Sequence, residues 1–407
     1  MSAEVLARYE EAFAGRDAPF AFVDLDALRA NADHLLAQSG GLRVRVASKS
    51  VRCVDVLRRV LAHRAAGQGF QGVLAFTPAE ALHLAGHGFA DLLVAYPSVD
   101  GSALAGVARW AGEQRPGRIV LMVDSVEGAE HVSRAARTAG VVLPVAVDVD
   151  VAWQPVRGVI IGPRRSPVRT PEEAATLVRA LSAVENLRVV GLMAYEGQVA
   201  GVGDRVPGKP LRSKAIRGMQ AASLRELGHR LPQVVAAVRD ELARHGHPLE
   251  LVNGGGTGSL ARTAAAGVVT ELAAGSGLFA PTLFDTYRSL DLRPAAMFAL
   301  PVVRRPGPGV VTVLGGGYVA SGPPGTDRSP LPVLPAGLRL TATEGAGEVQ
   351  TPLRGRPADG LAIGDRVYFR HAKAGELCER FDRLLLVEDG RVVDEVPTYR
   401  GEGCTFL

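Results

Sequence analysis

The feature that most constrains the fold is a regular alternation of short β-branched runs with longer helical segments. After an initial run at 21–25, eight further runs begin near residues 43, 72, 91, 118, 144, 187, 249 and 268. The segments between them carry apolar residues at helical spacing, as in Val54, Leu57 and Leu61. Alternating strands and helices predict a parallel sheet, and eight units in about 235 residues favour a closed (β/α)8 TIM barrel of the α/β class over an open sheet.

The composition changes from about Leu292 onward. Glycine and proline become dense, helical spacing disappears, and short alternating runs such as DRVYFRH and RLLLVEDGRVVDEV take over. Asp389 and Gly390 lie between two β-rich runs, which is a strong signal for a two-residue hairpin. The last part of the chain is therefore predicted to be mainly β.

These patterns predict two domains. The barrel is expected over 26–290, and the mainly β C-terminal domain is expected from 291–407 together with 1–25, because the strand at Ala21–Leu25 is surplus to eight. Residues 199–214 are polar and contain glycine and proline, so they are predicted to form an exposed loop after the sixth barrel strand.

Charge and cysteine usage exclude several classes of function. The chain has 46 basic and 42 acidic residues, a net charge of +4, and its arginines are scattered, so nucleic-acid binding is not expected. Three distant cysteines make a disulfide framework improbable and favour the cytoplasm. No apolar leader and no membrane-spanning stretch are expected. Only four of the basic residues are lysines, namely Lys49, Lys209, Lys214 and Lys373.

Lys49 directly follows the first predicted barrel strand, in RVRVASKS. Barrel enzymes place catalysis at the carboxyl ends of their strands. A lysine there is expected to be partly desolvated, which lowers the pKa of the amine and makes it nucleophilic toward an aldehyde. An ordinary lysine extending from a strand end toward water is the alternative.

Two glycine-containing loops follow the seventh and eighth strands. The first reads LVNGGGTGSL and the second AAGSGLF. Such loops let backbone N–H groups approach an anion, and together they match the usual phosphate site of (β/α)8 enzymes, although each alone is also typical of a plain turn. The candidate phosphate residues are Gly254, Gly255, Gly256, Thr257, Gly275 and Ser276.

Other strand ends carry further candidates. Tyr195 follows the sixth strand and is placed to contact a planar cofactor or to pack in the barrel. Arg164 and Arg165 follow the fifth strand, where a guanidinium suits a carboxylate or a ring nitrogen, though both also suit an ordinary surface.

A polar cluster in the predicted β domain contains His371, Lys373, Glu376 and Cys378. One histidine and one cysteine seven residues apart form a poor set of metal ligands. A structural or substrate-contacting role for His371 is equally consistent with the sequence.

Taken in order, the motifs FVDLDAL, RVASKS, MAYEGQ, NGGGTG, TELAAGSG and FRHAKAGEL give the chain a family resemblance. The chain resembles the fold-type III pyridoxal 5′-phosphate (PLP) enzymes, and within them the D-threonine aldolase and D-serine dehydratase-like branch of the alanine racemase superfamily. The resemblance implies an alanine racemase-like fold, a homodimer and a small amino-acid substrate.

The resemblance also implies roles for the candidates. Lys49 would form the Schiff base with PLP, Tyr195 would contact the cofactor, and Arg165 would lie near its pyridine nitrogen. The glycine loops with Thr257 and Ser276 would hold the phosphate. In that branch a partner's β domain completes the site, and a divalent metal, zinc or manganese, is held by a histidine and, two residues on, a cysteine or aspartate.

This sequence departs from the pattern at the metal. His371 is present, but the residue two positions on is Lys373, and an ammonium group cannot ligate a cation. Either Cys378 or Glu376 completes a metal site with His371, or Lys373 itself supplies the positive charge that polarises a substrate hydroxyl. The second interpretation is favoured.

The leading hypothesis is a PLP-dependent aldolase that cleaves or forms the Cα–Cβ bond of a D-β-hydroxy-α-amino acid. A dehydratase that releases ammonia is the alternative, and both chemistries need a group at the β-oxygen, for which His371 and Lys373 are the candidates. A racemase would use a tyrosine such as Tyr318 or Tyr368 as its second base. A PLP carrier without catalysis and a phosphate-binding barrel of other activity are the remaining alternatives, and the long β domain argues against the carrier.

Overall fold

The computed structural model describes residues 1–323 and 325–407. Its strands are β1 (Phe20–Asp24), β2 (Arg43–Ala47), β3 (Arg64–Ala65), β4 (Gln68–Ala75), β5 (Asp91–Pro97), β6 (Arg118–Val123), β7 (Leu143–Asp148), β8 (Leu187–Ala194), β9 (Leu251–Gly254), β10 (Glu271–Ala274), β11 (Ala296–Gly307), β12 (Val310–Leu314), β13 (Leu331–Leu334), β14 (Arg339–Leu340), β15 (Gln350–Arg354), β16 (Arg366–Arg370), β17 (Arg383–Glu388) and β18 (Arg391–Pro397).

The α-helices are α1 (Ala3–Ala12), α2 (Leu25–Ala37), α3 (Val54–Ala62), α4 (Pro78–Gly86), α5 (Gly101–Gly112), α6 (Val126–Ala139), α7 (Pro171–Ser182), α8 (Gly197–Ala200), α9 (Pro210–Arg244), α10 (Leu260–Ala265) and α11 (Ser276–Phe279). Short 3-10 helices span Ser48–Ser50, Thr282–Thr286, Thr326–Arg328, Arg356–Gly360 and Glu376–Glu379. Within residues 1–323 and 325–407, no helix has both the length and the apolar character needed to cross a bilayer.

The chain divides into two compact units. One of them, the barrel unit, contains residues 35–49, 59–275 and 406–407. Its sheet runs in the order β2-β10-β9-β8-β7-β6-β5-β4, and β2 also pairs with β4, so the eight parallel strands close on themselves. The predicted barrel is confirmed. Its interior is filled by apolar side chains such as Leu93 and Met193.

The opposite end of the barrel from the strand carboxyl ends holds a buried arginine. Arg45 of β2 is only 2% exposed and donates from Nε and Nη2 to the Glu271 carboxylate of β10, at 2.9 and 2.8 Å. Its Nη2 also donates to Asp91 Oδ2 at 3.2 Å. Gly72 gives this guanidinium room, because a Cβ there would lie 2.4 Å from Arg45 Nη1. Buried charges of this kind are tolerated because each is paired and hydrogen-bonded.

The second unit contains 1–34, 50–58 and 276–405. Its sheet follows the path β14-β15-β12-β11-β1-β17-β18, with β16 joining β11 and β13. As expected from the sequence, β1 belongs to this mainly β sheet, where it pairs antiparallel with β11 and parallel with β17. The hairpin at Asp389 and Gly390 is also confirmed, since both residues have positive φ and join β17 to β18.

The prediction of an exposed loop over 199–214 is wrong at both of its ends. Residues 199 and 200 lie buried in α8, and α9 already begins at Pro210. Pro210 occupies the first turn of the helix, where the missing N–H of proline costs nothing. Only the stretch between α8 and α9 is loop.

Candidate active site

Polar side chains follow or end most strands of the barrel at one edge, as expected for a parallel barrel whose strand carboxyl ends share a face. The groups within the barrel unit are Lys49 after β2, Tyr96 in β5, Asp124 after β6, Asp148 in β7, Arg165 in the following segment, Tyr195 and Glu196 after β8, Gly255 to Thr257 after β9, and Gly275 after β10.

Lys49 lies in the 3-10 turn directly after the first barrel strand. The turn is fixed by Ser48, whose hydroxyl donates to the Leu74 carbonyl at 3.0 Å. Lys49 Nζ donates to the phenol oxygen of Tyr96 at 2.9 Å. The side chain of Lys49 is exposed, so the expectation that this lysine is desolvated is wrong for the single chain. Its specific neighbour is therefore the hydroxyl of Tyr96.

Arg165 connects two tyrosine rings. Its guanidinium carbon lies 5.5 Å from the ring centre of Tyr96 and 5.1 Å from that of Tyr195. Burial opposes ionisation of the Tyr96 phenol, but the charges of Lys49 and Arg165 outweigh it, and the pKa of Tyr96 is lowered. Burial and the nearby Glu196 charge raise the pKa of Tyr195 to about 12. Tyr195 is thus a neutral ring for packing, whereas Tyr96 is the more acidic phenol.

Asp148 ends the fifth barrel strand and is 8% exposed. Burial raises the pKa of its carboxyl to about 7, with Arg165 opposing the rise and the nearby charges of Asp124 and Asp150 adding to it. A carboxyl that titrates near neutrality at a barrel rim is the kind of group that exchanges protons in catalysis, although structural sites also show such shifts.

Glu196 holds the glycine loop after the seventh strand. Its carboxylate is buried and accepts from the Gly255 N–H at 3.2 Å and from the Ser259 hydroxyl at 2.6 Å. It also accepts from the hydroxyl of Thr263. The Gly256 N–H in turn donates to Ser259 Oγ at 3.1 Å. The N–H groups of Gly255 and Gly256, which we expected to meet an anion, therefore donate to side chains of the protein instead.

The glycines of both loops are required by close packing. Gly255 has a φ of 81°, which favours glycine. A Cβ on Gly256 would lie 3.0 Å from Tyr195 Cε2, so the loop passes directly against the tyrosine ring. A Cβ on Gly275 would lie 2.4 Å from the Ala47 carbonyl oxygen, next to the turn that carries Lys49. Gly254 ends β9, and Thr257 is 4% exposed.

The groups at this end of the barrel fit PLP. Lys49 offers a primary amine for the aldehyde, Tyr195 offers a ring for the planar pyridine, and Arg165 offers a positive charge beside that ring. The loops with Thr257 and Gly275 offer narrow backbone approaches of the kind that hold phosphate. Ser276, which begins α11, belongs to the second unit.

The second unit carries His371, which directly follows β16. Its ring is 3% exposed, and neither ring nitrogen has a hydrogen-bond partner among residues 1–323 and 325–407. Burial and the adjacent Arg370 charge lower the pKa of His371 to about 3, against a small opposing effect from the Ala296 backbone. Lys373 is held differently, since its Nζ donates to the Ser321 carbonyl at 3.1 Å.

The donors around His371 do not fit a divalent metal. Cys378 donates its thiol hydrogen to the Val51 carbonyl at 3.2 Å, and burial raises the pKa of that thiol well above its ordinary value, so the thiolate needed for metal binding is disfavoured. Glu376 accepts from the Ser321 N–H. Among the residues that the structure describes, neither His371 nor Cys378 belongs to a group of three or more candidate ligands.

Tyr318 and Tyr368, the two tyrosines considered as the second base of a racemase, make other contacts in this unit. Tyr368 is fully buried and donates to Glu10 at 2.9 Å, and burial raises the pKa of its phenol. Tyr318 packs its ring against Phe298 and Phe381, and burial raises its pKa as well. Neither environment favours a base.

Four residues of the site escaped the sequence analysis, namely Tyr96, Asp124, Asp148 and Glu196. Each lies within two residues of the carboxyl end of a correctly predicted strand. A systematic list of polar residues at strand ends would have included all four. Their partners, however, come from other strands and cannot be read from local sequence.

Comparison with known proteins supports the same fold. A family model described as "Alanine racemase, N-terminal domain" matches residues 23–281. A D-threonine aldolase from an Arthrobacter species is 27% identical over 265 residues, covering 65% of this chain and 61% of the relative. A 3-hydroxy-D-aspartate aldolase from Paracoccus denitrificans is 29% identical over 265 residues, covering 64% of this chain and 60% of the relative. The match therefore spans less than two thirds of either relative.

Two solved structures superpose over nearly the whole chain. The D-threonine aldolase from Filomicrobium marinum gives a TM-score of 0.76 at 24% identity, covering 95% of this chain and 96% of that one. The D-threo-3-hydroxyaspartate dehydratase from Delftia sp. HT23 gives a TM-score of 0.67 at 19% identity, covering 95% and 98%. At these identities the two structures establish the shared fold.

Proposed function

The chain belongs to the family defined by the alanine racemase N-terminal domain, and from that premise we propose that it is a PLP-dependent aldolase acting on a D-β-hydroxy-α-amino acid. Aldolases named for D-threonine and 3-hydroxy-D-aspartate are among its relatives. The single observation that carries the proposal is Lys49, whose amine lies at the end of the first barrel strand beside Tyr96, in a chain with only four lysines.

The cofactor would be held by the residues at the strand ends. Lys49 would bind its aldehyde carbon, Tyr195 would pack on its ring, and Arg165 would lie near its nitrogen. Its phosphate would be contacted by the glycine loops together with Thr257 and Ser276. When bound, PLP supplies an electron sink for the bond at Cα that lies perpendicular to its ring.

Cleavage would require a proton transfer at the substrate's β-hydroxyl. The Cα–Cβ bond breaks, the hydroxyl oxygen loses its proton and becomes an aldehyde oxygen, and Cα gains a proton to give glycine. We propose that His371 and Lys373 act at the β-oxygen, with Lys373 supplying positive charge and His371 a neutral imidazole. Because the donors do not fit a divalent cation, no step is assigned to a metal.

The proposal is tested with purified protein, PLP and two substrates. We expect visible absorbance from bound PLP, and glycine plus acetaldehyde from D-threonine. Lys49→Ala should abolish both, whereas Lys214→Ala, an exposed lysine on α9, should retain both. A wild-type protein that takes up no PLP would refute the proposal.

D-Serine distinguishes the alternative chemistry. Pyruvate and ammonia from D-serine, without glycine from D-threonine, would replace the aldolase by a dehydratase on the same fold. Interconversion of amino-acid enantiomers would indicate a racemase instead. We further propose a cytoplasmic homodimer that takes a small amino acid as its substrate, and size-exclusion chromatography with light scattering tests the oligomeric state.

A further inference from the structure

One stretch of the barrel unit carries positive charge that no acidic residue within it offsets. Residues 205–225 contain six arginines and lysines and no aspartate or glutamate, although basic and acidic residues are nearly balanced over the whole chain. Lys209 and Arg212 of this stretch are exposed, and neither has an ion-pair partner among residues 1–323 and 325–407. The first turn of α9 also has no acidic side chain, the kind that suits this end of a helix. The charge of this stretch therefore acts mainly on ions in solution.

The start of α9 extends beyond the barrel at the end that carries the candidate active site. The last part of the helix lies along α7, where Arg179 pairs with Glu241 at 2.8 Å. Further up, Arg230 donates to the carbonyl of Asp150, two residues beyond the carboxyl end of β7, at 2.9 Å. Residues 210–229 precede this point in α9, so they continue for about 30 Å past the rim that is formed by the strand ends.

Contacts along this extension hold it against the glycine loop that follows β9. Gln220 of α9 donates to the carbonyl of Val202, just beyond the end of α8, at 2.9 Å. Arg262 of α10 donates to the side-chain oxygen of Gln220 at 3.0 Å. The end of α8 meets the loop directly, because a Cβ on Gly256 would lie 2.9 Å from Ala200 Cβ. The extension of α9 therefore lies beside the loop that is expected to hold phosphate.

Lys209 and Arg212 lie close to this loop along the helix. They are eleven and eight residues before Gln220, which corresponds to about 16 and 12 Å. Being three residues apart, they share one side of the helix, whereas Lys214 is turned by about 200° from Arg212. The two side chains thus place two positive charges at the approach to the candidate active site.

We propose that Lys209 and Arg212 guide anions to the amine of Lys49. Charges of one sign beside a cleft raise the association rate of oppositely charged molecules, and salt screens the effect. For a separation of about 20 Å in dilute salt, reversing both charges should slow the approach of a monoanion about two- to threefold. The inference rests on the proposed function only for the identity of the natural anion, which would be PLP.

The test compares two acetylating reagents that differ only in charge. The N-hydroxysuccinimide ester of acetic acid is neutral, whereas its sulfonated analogue is an anion, and both transfer the same acetyl group to Lys49. The full chain, freed of cofactor with hydroxylamine, is treated with each reagent, and mass spectrometry gives the two acetylation rates at Lys49. Their ratio, anionic over neutral, cancels any change in the reactivity of the amine itself.

Lys209→Glu combined with Arg212→Glu should lower this ratio about two- to threefold in about 10 mM salt and leave it unchanged in about 0.5 M salt. The variant should fold, because glutamate suits the first turn of a helix. The matched control is Arg109→Glu combined with Arg134→Glu, which makes the same change in net charge. Both control residues are exposed, in the second halves of α5 and α6, toward the opposite end of the barrel. The control should keep the ratio within about 1.4-fold of the wild type.

An unchanged ratio in the Lys209 and Arg212 double variant would overturn the inference. So would an equal fall in the control, or a fall that persists in about 0.5 M salt. Lys209→Gln combined with Arg212→Gln is a second variant that should show a smaller fall, and a rise would again overturn the inference. Because the labelling contains no PLP, a wild type that takes up no PLP would refute only the proposed function.

Discussion

Glu196 offers the sharpest test of how the glycine loop is held. All three of its neighbours are donors: the Gly255 N–H and the hydroxyls of Ser259 and Thr263. A carboxylate only accepts hydrogen bonds, so it matches three donors. No neutral side chain of the same size matches them as well. Hydroxyls can rotate toward other acceptors, but the Gly255 N–H is fixed by the backbone.

Glu196→Ala would leave that buried N–H without an acceptor. A buried donor that loses its partner costs about 1–3 kcal/mol. If the loop must keep its conformation to hold the cofactor phosphate, this cost weakens PLP binding by roughly 5- to 150-fold. Glu196→Gln can still turn its oxygen toward Gly255, so we expect a loss of less than about fivefold.

The assay is a titration of cofactor-free protein with PLP, followed by absorbance. Circular dichroism confirms that each variant is folded, and Glu172→Ala, on the exposed first turn of α7, is the matched control and should bind PLP as the wild type does. A folded Glu196→Ala variant with wild-type affinity for PLP would refute the reasoning. So would a Gln variant that binds more weakly than the Ala variant.

Three further predictions concern stability, pH and metal. Arg45→Ala leaves the buried Glu271 carboxylate without its partner and should lower the free energy of unfolding by about 3–5 kcal/mol. Arg45→Met combined with Glu271→Leu removes both charges and should lower the free energy of unfolding by less. Urea unfolding measures both variants, and equal losses would contradict the prediction. Folded Asp148 keeps its proton to about pH 7 but unfolded aspartate loses it near 3.8, so folding takes up a proton in this window and stability falls as pH rises through it. In the wild type, this fall in the free energy of unfolding is at most about 4 kcal/mol, and Asp148→Asn should lack it. Urea unfolding at a series of pH values measures the fall, and an unchanged fall in Asp148→Asn would contradict the raised pKa of Asp148. Dialysis against a chelator should leave aldolase activity within about twofold of that of the untreated protein, whereas Lys373→Met should lower kcat roughly 100-fold. Stoichiometric zinc or manganese found by elemental analysis would contradict this prediction.

The repeating architecture was predictable because its signal is local. Each barrel strand belongs to a short, largely apolar run, and each was placed within a few residues of its observed bounds. The hairpin at Asp389 and Gly390 was predictable for the same reason, since its positive φ angles require particular residues. The domain limits of 26–290 and 1–25 with 291–407, and the assigned site residues, stay predictions.

What escaped prediction depends on partners distant in sequence. Arg45 and Arg43 both occur in RVRVA, yet Arg45 is buried and Arg43 is exposed, because only Arg45 meets Glu271. Glu196 occurs in the motif MAYEGQ, but its structural role depends on hydrogen-bond donors about 60 residues further along the chain. The segment 199–214 misled for a simpler reason, since proline both breaks helices and begins them.

The ion pair between Arg45 and Glu271 also has a consequence for folding during synthesis, because it cannot form until nearly the whole barrel has been made. Its two residues are 226 positions apart, and they belong to the first and last strands of the barrel. At about 5–20 residues per second, the first strand waits roughly 10–45 s for its neighbour to leave the ribosome. Of the two strands that flank β2 in the fold, only β4 has been synthesised during that time, and Arg45 has no carboxylate from β10. The nascent barrel therefore has an open edge until its last strand arrives, and this is the interval in which chaperones and aggregation compete for it.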